Sequence, residues 1–157
     1  MDKRTLGKTK LSVSVLGFGA APMAYLNEQE TRAVAVIEQL LAGGVNLIDT
    51  AASYPGSEEF LGRRFGNRRG EFVLVSKCGS KIPESKAEAW SAQLVADSVD
   101  RSLRFLKTDH LDVMLLHSCS LEVLKKEEKA LLDGGSVLLR TDPKGSDSWD
   151  FNFVLEL

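Results

Sequence analysis

The sequence predicts an α/β fold built on parallel strands joined by crossover helices. Three observations predict it. Apolar residues switch between short runs and helical spacing, in the order β-α-β-α-β-α-β-α-β. The short runs are continuously apolar rather than alternating, as in strands buried on both faces. Asp49, Lys77 and His117 end three successive runs, at the strand edge where parallel α/β folds place their chemistry. The pattern leaves both a doubly wound sheet and a (β/α) barrel open.

The elements follow in order. Arg4 to Ser14 reads as a small hairpin around Gly7-Lys8-Thr9. Val13, Val15 and Leu16 run into Gly17-Phe18-Gly19, a first strand ending in a glycine loop. Asn27 followed by Glu30 is a capping-box signal. Ala33, Val36, Ile37, Leu40 and Leu41 then recur at helical spacing until Gly43-Gly44 stops the helix. Val45 to Ile48 is a buried strand. Ser57 is placed to cap a short helix carrying Phe60, Leu61 and Phe65, ending near Gly66. Phe72 to Val75 is the third strand. Leu94, Val95, Ser98, Val99, Leu103 and Leu106 mark a long helix from about Lys86 to Lys107. Leu111 to Leu116 is the fourth strand, Leu121 to Asp133 a fourth helix, and Val137 to Leu139 a fifth strand.

Composition narrows the function classes. The 157 residues are 43% hydrophobic and 27% charged, an ordinary globular balance. A net charge of −2 gives no electrostatic footprint for nucleic acid or an anionic membrane. No apolar run approaches the roughly 20 residues that span a bilayer. Lys3, Arg4, Lys8 and Lys10 before Leu11 to Ala21 superficially resemble a signal peptide. Ser12, Ser14, Gly17 and Gly19 interrupt that stretch, and the strand reading explains it better. The two cysteines, Cys78 and Cys119, are too few for a disulfide scaffold, so the expected location is cytoplasmic. His117, Cys119 and Cys78 lack CxxC or HxxxH spacing, so no metal site is expected. Arg63, Arg64, Arg68 and Arg69, and the mixed charges from Glu122 to Lys129, read as solvated surface.

The polar residues at the strand ends carry the chemistry. Asp49 ends the second strand, Tyr54 follows in the next loop, Lys77 ends the third and His117 the fourth. Gly17, Gly19 and Ala20 would let a flat ring or a phosphate approach the backbone. Free tyrosine, with an ordinary pKa of about 10, is a reluctant acid at neutral pH, and a nearby ammonium favours the phenolate. Lys77 is placed to supply that charge, Asp49 to orient Lys77, and His117 to hydrogen-bond a substrate oxygen. Taken singly, each has an ordinary alternative: a strand-end cap, a loop cover, a rim charge, a core imidazole. Their joint placement after successive strands argues for a proton-donating site.

These residues resemble the aldo-keto reductase family. The resemblance runs through Arg4-Thr5-Leu6-Gly7, Leu16-Gly17-Phe18-Gly19 and Asn46-Leu47-Ile48-Asp49-Thr50-Ala51. It continues through Tyr54-Pro55-Gly56-Ser57-Glu58, Val75-Ser76-Lys77, Asp109-His110-Leu111-Asp112 and Leu115-Leu116-His117. It implies a (β/α)8 barrel that reduces aldehydes or ketones with NADPH. Tyr54 would be the proton donor, tuned by Lys77 and Asp49, with His117 orienting the carbonyl. Gly19, Ala20 and Asp49 would lie against the cofactor.

Two departures matter. Lys10 stands where the family's hairpin usually has a glycine. From about residue 127 the chain no longer follows the family's pattern, and such a barrel normally needs about 250 residues. Residues 1–133 are therefore expected to form the N-terminal half of a barrel, and 134–157 a divergent tail. Phe151, Phe153, Leu155 and Leu157 would make that tail an edge strand or, given the polar linker with Gly145, a disordered segment. A half barrel's open edges invite pairing with another chain. The rival expectation is an inactive fragment or an interaction module that lacks the family's later cofactor-binding strands.

Overall fold

Helix α1 shows how local chemistry sets the frame. The computed structural model describes residues 1–25, 30–120, 122–123, 136–139 and 153–156. Within it, α1 (Glu30–Ala42) turns Ala33 and Ile37 into the core and leaves Val36 exposed. It ends where Gly44 takes a left-handed φ of 85°. The Gly44 and Val45 amides then reach back to the carbonyls of Leu41 and Leu40, a Schellman stop that turns the chain into the next strand. Asn27 and the helix expected over 121–133 fall on residues outside those described, except Glu122 and Val123, which are helical.

An antiparallel hairpin opens the chain, β1 (Lys3–Thr5) against β2 (Ser12–Ser14). The first sheet strand is the two-residue β3 (Phe18–Gly19). The single strand expected from Val13 to Gly19 is thus two, and Val15 and Leu16 lie exposed between them. Val13 and Ser14 belong to the hairpin because Asn46 claims that stretch. Its side chain accepts from the Ser14 amide and donates to the Ser12 carbonyl, while its own amide donates to Ser14 Oγ.

Strands β3, β4 (Leu47–Asp49), β5 (Val73–Cys78) and β6 (Val113–Leu116) pair in parallel. Helix α2 (Ser57–Phe65) links β4 to β5, and α3 (Ala92–Leu106) links β5 to β6. One face of the sheet meets the helices: Ile48 and Leu74 pack on Ile37, Phe60, Leu61 and Phe65. Met114 and Leu116 pack against the side of α3 that carries Val95 and Val99. The other face carries Val75, Val113 and Leu115, covered by Leu6 and Leu11 of the hairpin segment and by Leu47. Helices on one side only, with a hairpin plug on the other, make this part of a (β/α) barrel and exclude the doubly wound sheet.

Three further expectations are corrected. Helix α3 begins at Ala92, not near Lys86, because Trp90 has a φ of 67° and Ser91 caps the helix by accepting from the Leu94 amide. Ser57 is the first residue of α2 rather than its cap; Gly56, at φ 75°, precedes it and the Ser57 hydroxyl is used elsewhere. The fifth strand is not parallel. Strand β7 (Ser136–Leu139) pairs antiparallel with β8 (Phe153–Glu156), and β8 pairs antiparallel with β6 through Met114 and Leu155. Among the described residues, no helix is long and apolar enough to cross a membrane.

Candidate active site

Strand alternation brings the predicted residues to one face. Asp49 shares its parity with Leu47, Lys77 with Val75, and His117 with Val113 and Leu115. All three therefore point to the inner face, at the carboxyl ends of β4, β5 and β6. The parallel ladder continues past Asp49: Thr50 donates to the Val75 carbonyl at 2.8 Å and Ala52 to the Lys77 carbonyl at 3.2 Å. The loop then folds over, with the Tyr54 amide on the Ala51 carbonyl and the Ser57 amide on the Tyr54 carbonyl.

Lys77 is the centre of the arrangement. Its side chain is largely buried, and its Nζ donates to Asp49 Oδ1 at 2.5 Å and to the Thr50 carbonyl at 2.9 Å. The same nitrogen lies 5.2 Å from the centroid of the Tyr54 ring, over its face. Tyr54 meets the His117 imidazole edge-on, with ring centroids 5.4 Å apart and planes at 90°. The backbone amide of His117 is fixed to the Cys78 carbonyl at 2.9 Å. The acid, amine, phenol and imidazole expected from the sequence are thus contiguous.

The glycine loop divides. A Cβ at Gly17 would press on the Leu47 side chain at 3.1 Å, so packing explains that glycine. Ala20 is fully buried in the core, its amide on the Asp49 carbonyl and its carbonyl receiving Ser57 Oγ. Gly19 alone opens outward, with nothing within 4 Å of where a Cβ would stand. It sits opposite Asp49 in the ladder, beside the carboxylate.

The contacts that support the site were not found from the sequence. Ser53 Oγ lies 2.8 Å from His117 Nδ1. Beneath the loop, Ser57 Oγ bonds Thr50 Oγ1 and the Ala20 carbonyl, each at 2.9 Å, tying three segments together in a dry setting. Behind β5, the fully buried Glu58 accepts from Ser76 Oγ at 2.7 Å and from Arg101 Nη1 at 2.8 Å. Arg101 also reaches Glu59 and Glu84. Burial pushes the Glu58 carboxyl above its ordinary range, against the pull of its hydroxyl and guanidinium partners. The one available signal was the Ser57-Glu58 pair after Tyr54, in the polar first turn of α2. Ser53 left no signal, because its partner is 64 residues away.

Burial also pushes the Cys78 thiol up to about 12 and that of Cys119 to about 11, so both are inert packing residues. Among the described residues, no group of three or more His, Cys, Asp or Glu could hold a metal ion. The arginines after Phe60 are paired rather than merely solvated: Arg63 and Arg64 with Glu30, Arg68 with Glu38 and Glu71, Arg69 with Asp112.

A parallel βα sheet with this group of side chains at its carboxyl edge has the layout of a barrel enzyme. The chain belongs to the aldo/keto reductase family, whose family model matches residues 15–127. It is similar to the uncharacterized oxidoreductase YqkF of Bacillus subtilis, 31% identical over 128 residues, covering 78% of this chain and 40% of that protein. Among solved structures, a putative aldo-keto reductase from Pseudomonas aeruginosa superposes with a TM-score of 0.70 at 35% identity, over 78% of this chain and 49% of that one. An aldo-keto reductase from Klebsiella pneumoniae in complex with NADPH does so with a TM-score of 0.61 at 30% identity, over 81% and 46%. The chain therefore spans about half the length, or less, of these relatives.

Proposed function

We propose that this chain carries the proton-donor side of an NADPH-dependent carbonyl reductase. The observation that carries the reading is the Lys77 ammonium, held by Asp49 and the Thr50 carbonyl against the face of the Tyr54 ring. Reduction of a carbonyl places negative charge on its oxygen, and Tyr54 gives that oxygen its phenolic proton. The ring left behind is anionic, and Lys77 is the cation facing it. Asp49 keeps the ammonium aimed. His117, beside Tyr54, directs the carbonyl oxygen toward the phenol.

The cofactor fits what is present on this side of the site. Gly19 offers open backbone beside the Asp49 carboxylate, where a flat ring can approach closely, whereas Ala20, fully buried in the helix-side core, only supports that loop from behind. When bound, the nicotinamide supplies the hydride. The known NADPH complex of the Klebsiella pneumoniae relative supports this choice of cofactor.

The test is reduction of 4-nitrobenzaldehyde by the full chain with NADPH. A positioned acid contributes about 10²–10⁴-fold, so Tyr54→Phe should lose at least about 100-fold in rate while NADPH binding is retained. Equal rates in the two proteins sink the assigned donor. Absence of saturable NADPH binding by the wild type sinks the cofactor assignment and favours a binding module.

A further inference from the structure

The loop that bears Tyr54 also holds the imidazole beside it. Ser53 Oγ and His117 Nδ1 are 2.8 Å apart, and both residues are half-buried. The imidazole hangs from a fixed backbone beside the Tyr54 ring. Its backbone is pinned to Cys78, its carbonyl receives Ser80 Oγ at 3.4 Å, and the Tyr54 ring stands perpendicular to it. The Ser53 side is equally fixed, because the Thr50, Ser57 and Ala20 hydrogen bonds anchor the loop from below.

A neutral imidazole has one N–H donor and one bare acceptor nitrogen, and a hydrogen bond to one nitrogen decides which is which. We propose that Ser53 is a positioning residue whose hydroxyl donates to His117 Nδ1 and thereby keeps the ring proton on Nε2. The direction of the bond follows from the substrate's chemistry. A carbonyl oxygen offers only lone pairs, so it needs an N–H from His117. If Nδ1 held the proton and donated to Ser53, a neutral Nε2 would present its own lone pair and repel that oxygen. The direction of the bond and its catalytic consequence rest on the reductase reading above; the contact between Ser53 and His117 does not.

The chain has two histidines, so the tautomer is directly measurable. The full chain is labelled with 15N-histidine, and long-range 1H–15N correlations are recorded at about pH 8, above ordinary imidazole titration. His110, which sits on an exposed turn against Asp109, is assigned through His110→Gln. His117 is expected to show a bare Nδ1 and a protonated Nε2 in the wild type and in Ser53→Thr. Ser53→Ala should raise the share of the Nδ1-protonated form. A protonated Nδ1 in the wild type, or a Ser53→Ala spectrum identical to wild type, overturns the proposal. In turnover, Ser53→Ala should lose roughly fivefold in kcat, the worth of one ordinary hydrogen bond, and Ser53→Thr should restore it. The expected tautomer shift in a protein without turnover supports the role of Ser53 and refutes the reductase reading. Tyr54-dependent turnover with an unmoved tautomer overturns the role of Ser53 and leaves the reductase reading standing.

Discussion

Gly62→Ala isolates the contact on which the outer layer depends. A Cβ at Gly62 would stand 2.0 Å from the Phe105 carbonyl oxygen and 2.7 Å from backbone atoms of Leu106. An ordinary carbon–oxygen contact is about 3.3–3.6 Å, so α2 would have to retreat from α3 by about 1.3 Å or more. The obstructing atoms are backbone, so no rotamer change relieves them. Overpacking of this kind costs typically about 1–3 kcal/mol, occasionally more. Replacing a mid-helix glycine by alanine returns only about 1 kcal/mol of helix propensity. The clash is severe enough to exceed the usual range, and a net loss of about 2–3 kcal/mol is expected, or roughly 4–12 °C in Tm for a chain of this size. Urea unfolding followed by far-UV circular dichroism measures it. Gly70→Ala is the control: nothing lies within 4 Å of its Cβ position, and its stability should change by less than about 1 kcal/mol. A Gly62→Ala protein as stable as wild type, or more so, would refute the close approach of the two helices.

Two further outcomes concern the buried charges behind β5. Arg101→Ala leaves the Glu58 carboxylate buried without its guanidinium and should cost about 3–5 kcal/mol in the same unfolding assay, with Glu58→Gln in the same chain recovering part of the loss. A loss below about 1 kcal/mol would mean that water reaches Glu58. The second is a pH effect. Burial raises the Glu58 carboxyl above its ordinary 4.5, so the folded protein keeps this proton to higher pH than the unfolded chain does. Its contribution to stability is fully present below 4.5 and is lost as pH rises through the folded-state value. Relative to Glu58→Gln, wild type should therefore lose stability as pH rises above 4.5. A constant difference between the two proteins across that range would contradict the direction of the shift.

The legible part of the site was the part written in strand ends. Asp49, Lys77 and His117 each close an apolar run, and β-strand alternation places each on the same face as the apolar residues two positions before it. Knowing where the strands end is then nearly enough to know that the three converge. Tyr54 was legible only through its position in the following loop. Ser53 and Arg101 were not legible, because a lone serine and one arginine among 20 basic residues give no pattern until a distant segment meets them. Ser57 was misread for a related reason. A serine before an apolar helix start is an ordinary cap signal, but its hydroxyl is drawn off by Thr50 and Ala20 across the sheet.

The sequence by itself determined the class of layered fold, the order of strands and helices through β6, and which polar residues end the strands. These follow from short-range rules: period, caps, glycine stops and side-chain alternation. Tertiary structure decided that the helices lie on one face of the sheet, since period alone does not say which side a crossover takes. It decided that the hairpin plugs the other face, through Asn46 and the apolar contacts of Leu6 and Leu11. It also decided that β8 meets β6 in the antiparallel sense, which no local pattern encodes, because strand direction in a ladder depends on where the chain returns from. Finally it set the hydrogen bond between the Tyr54 loop and His117, a contact of two segments that only the assembled sheet brings together.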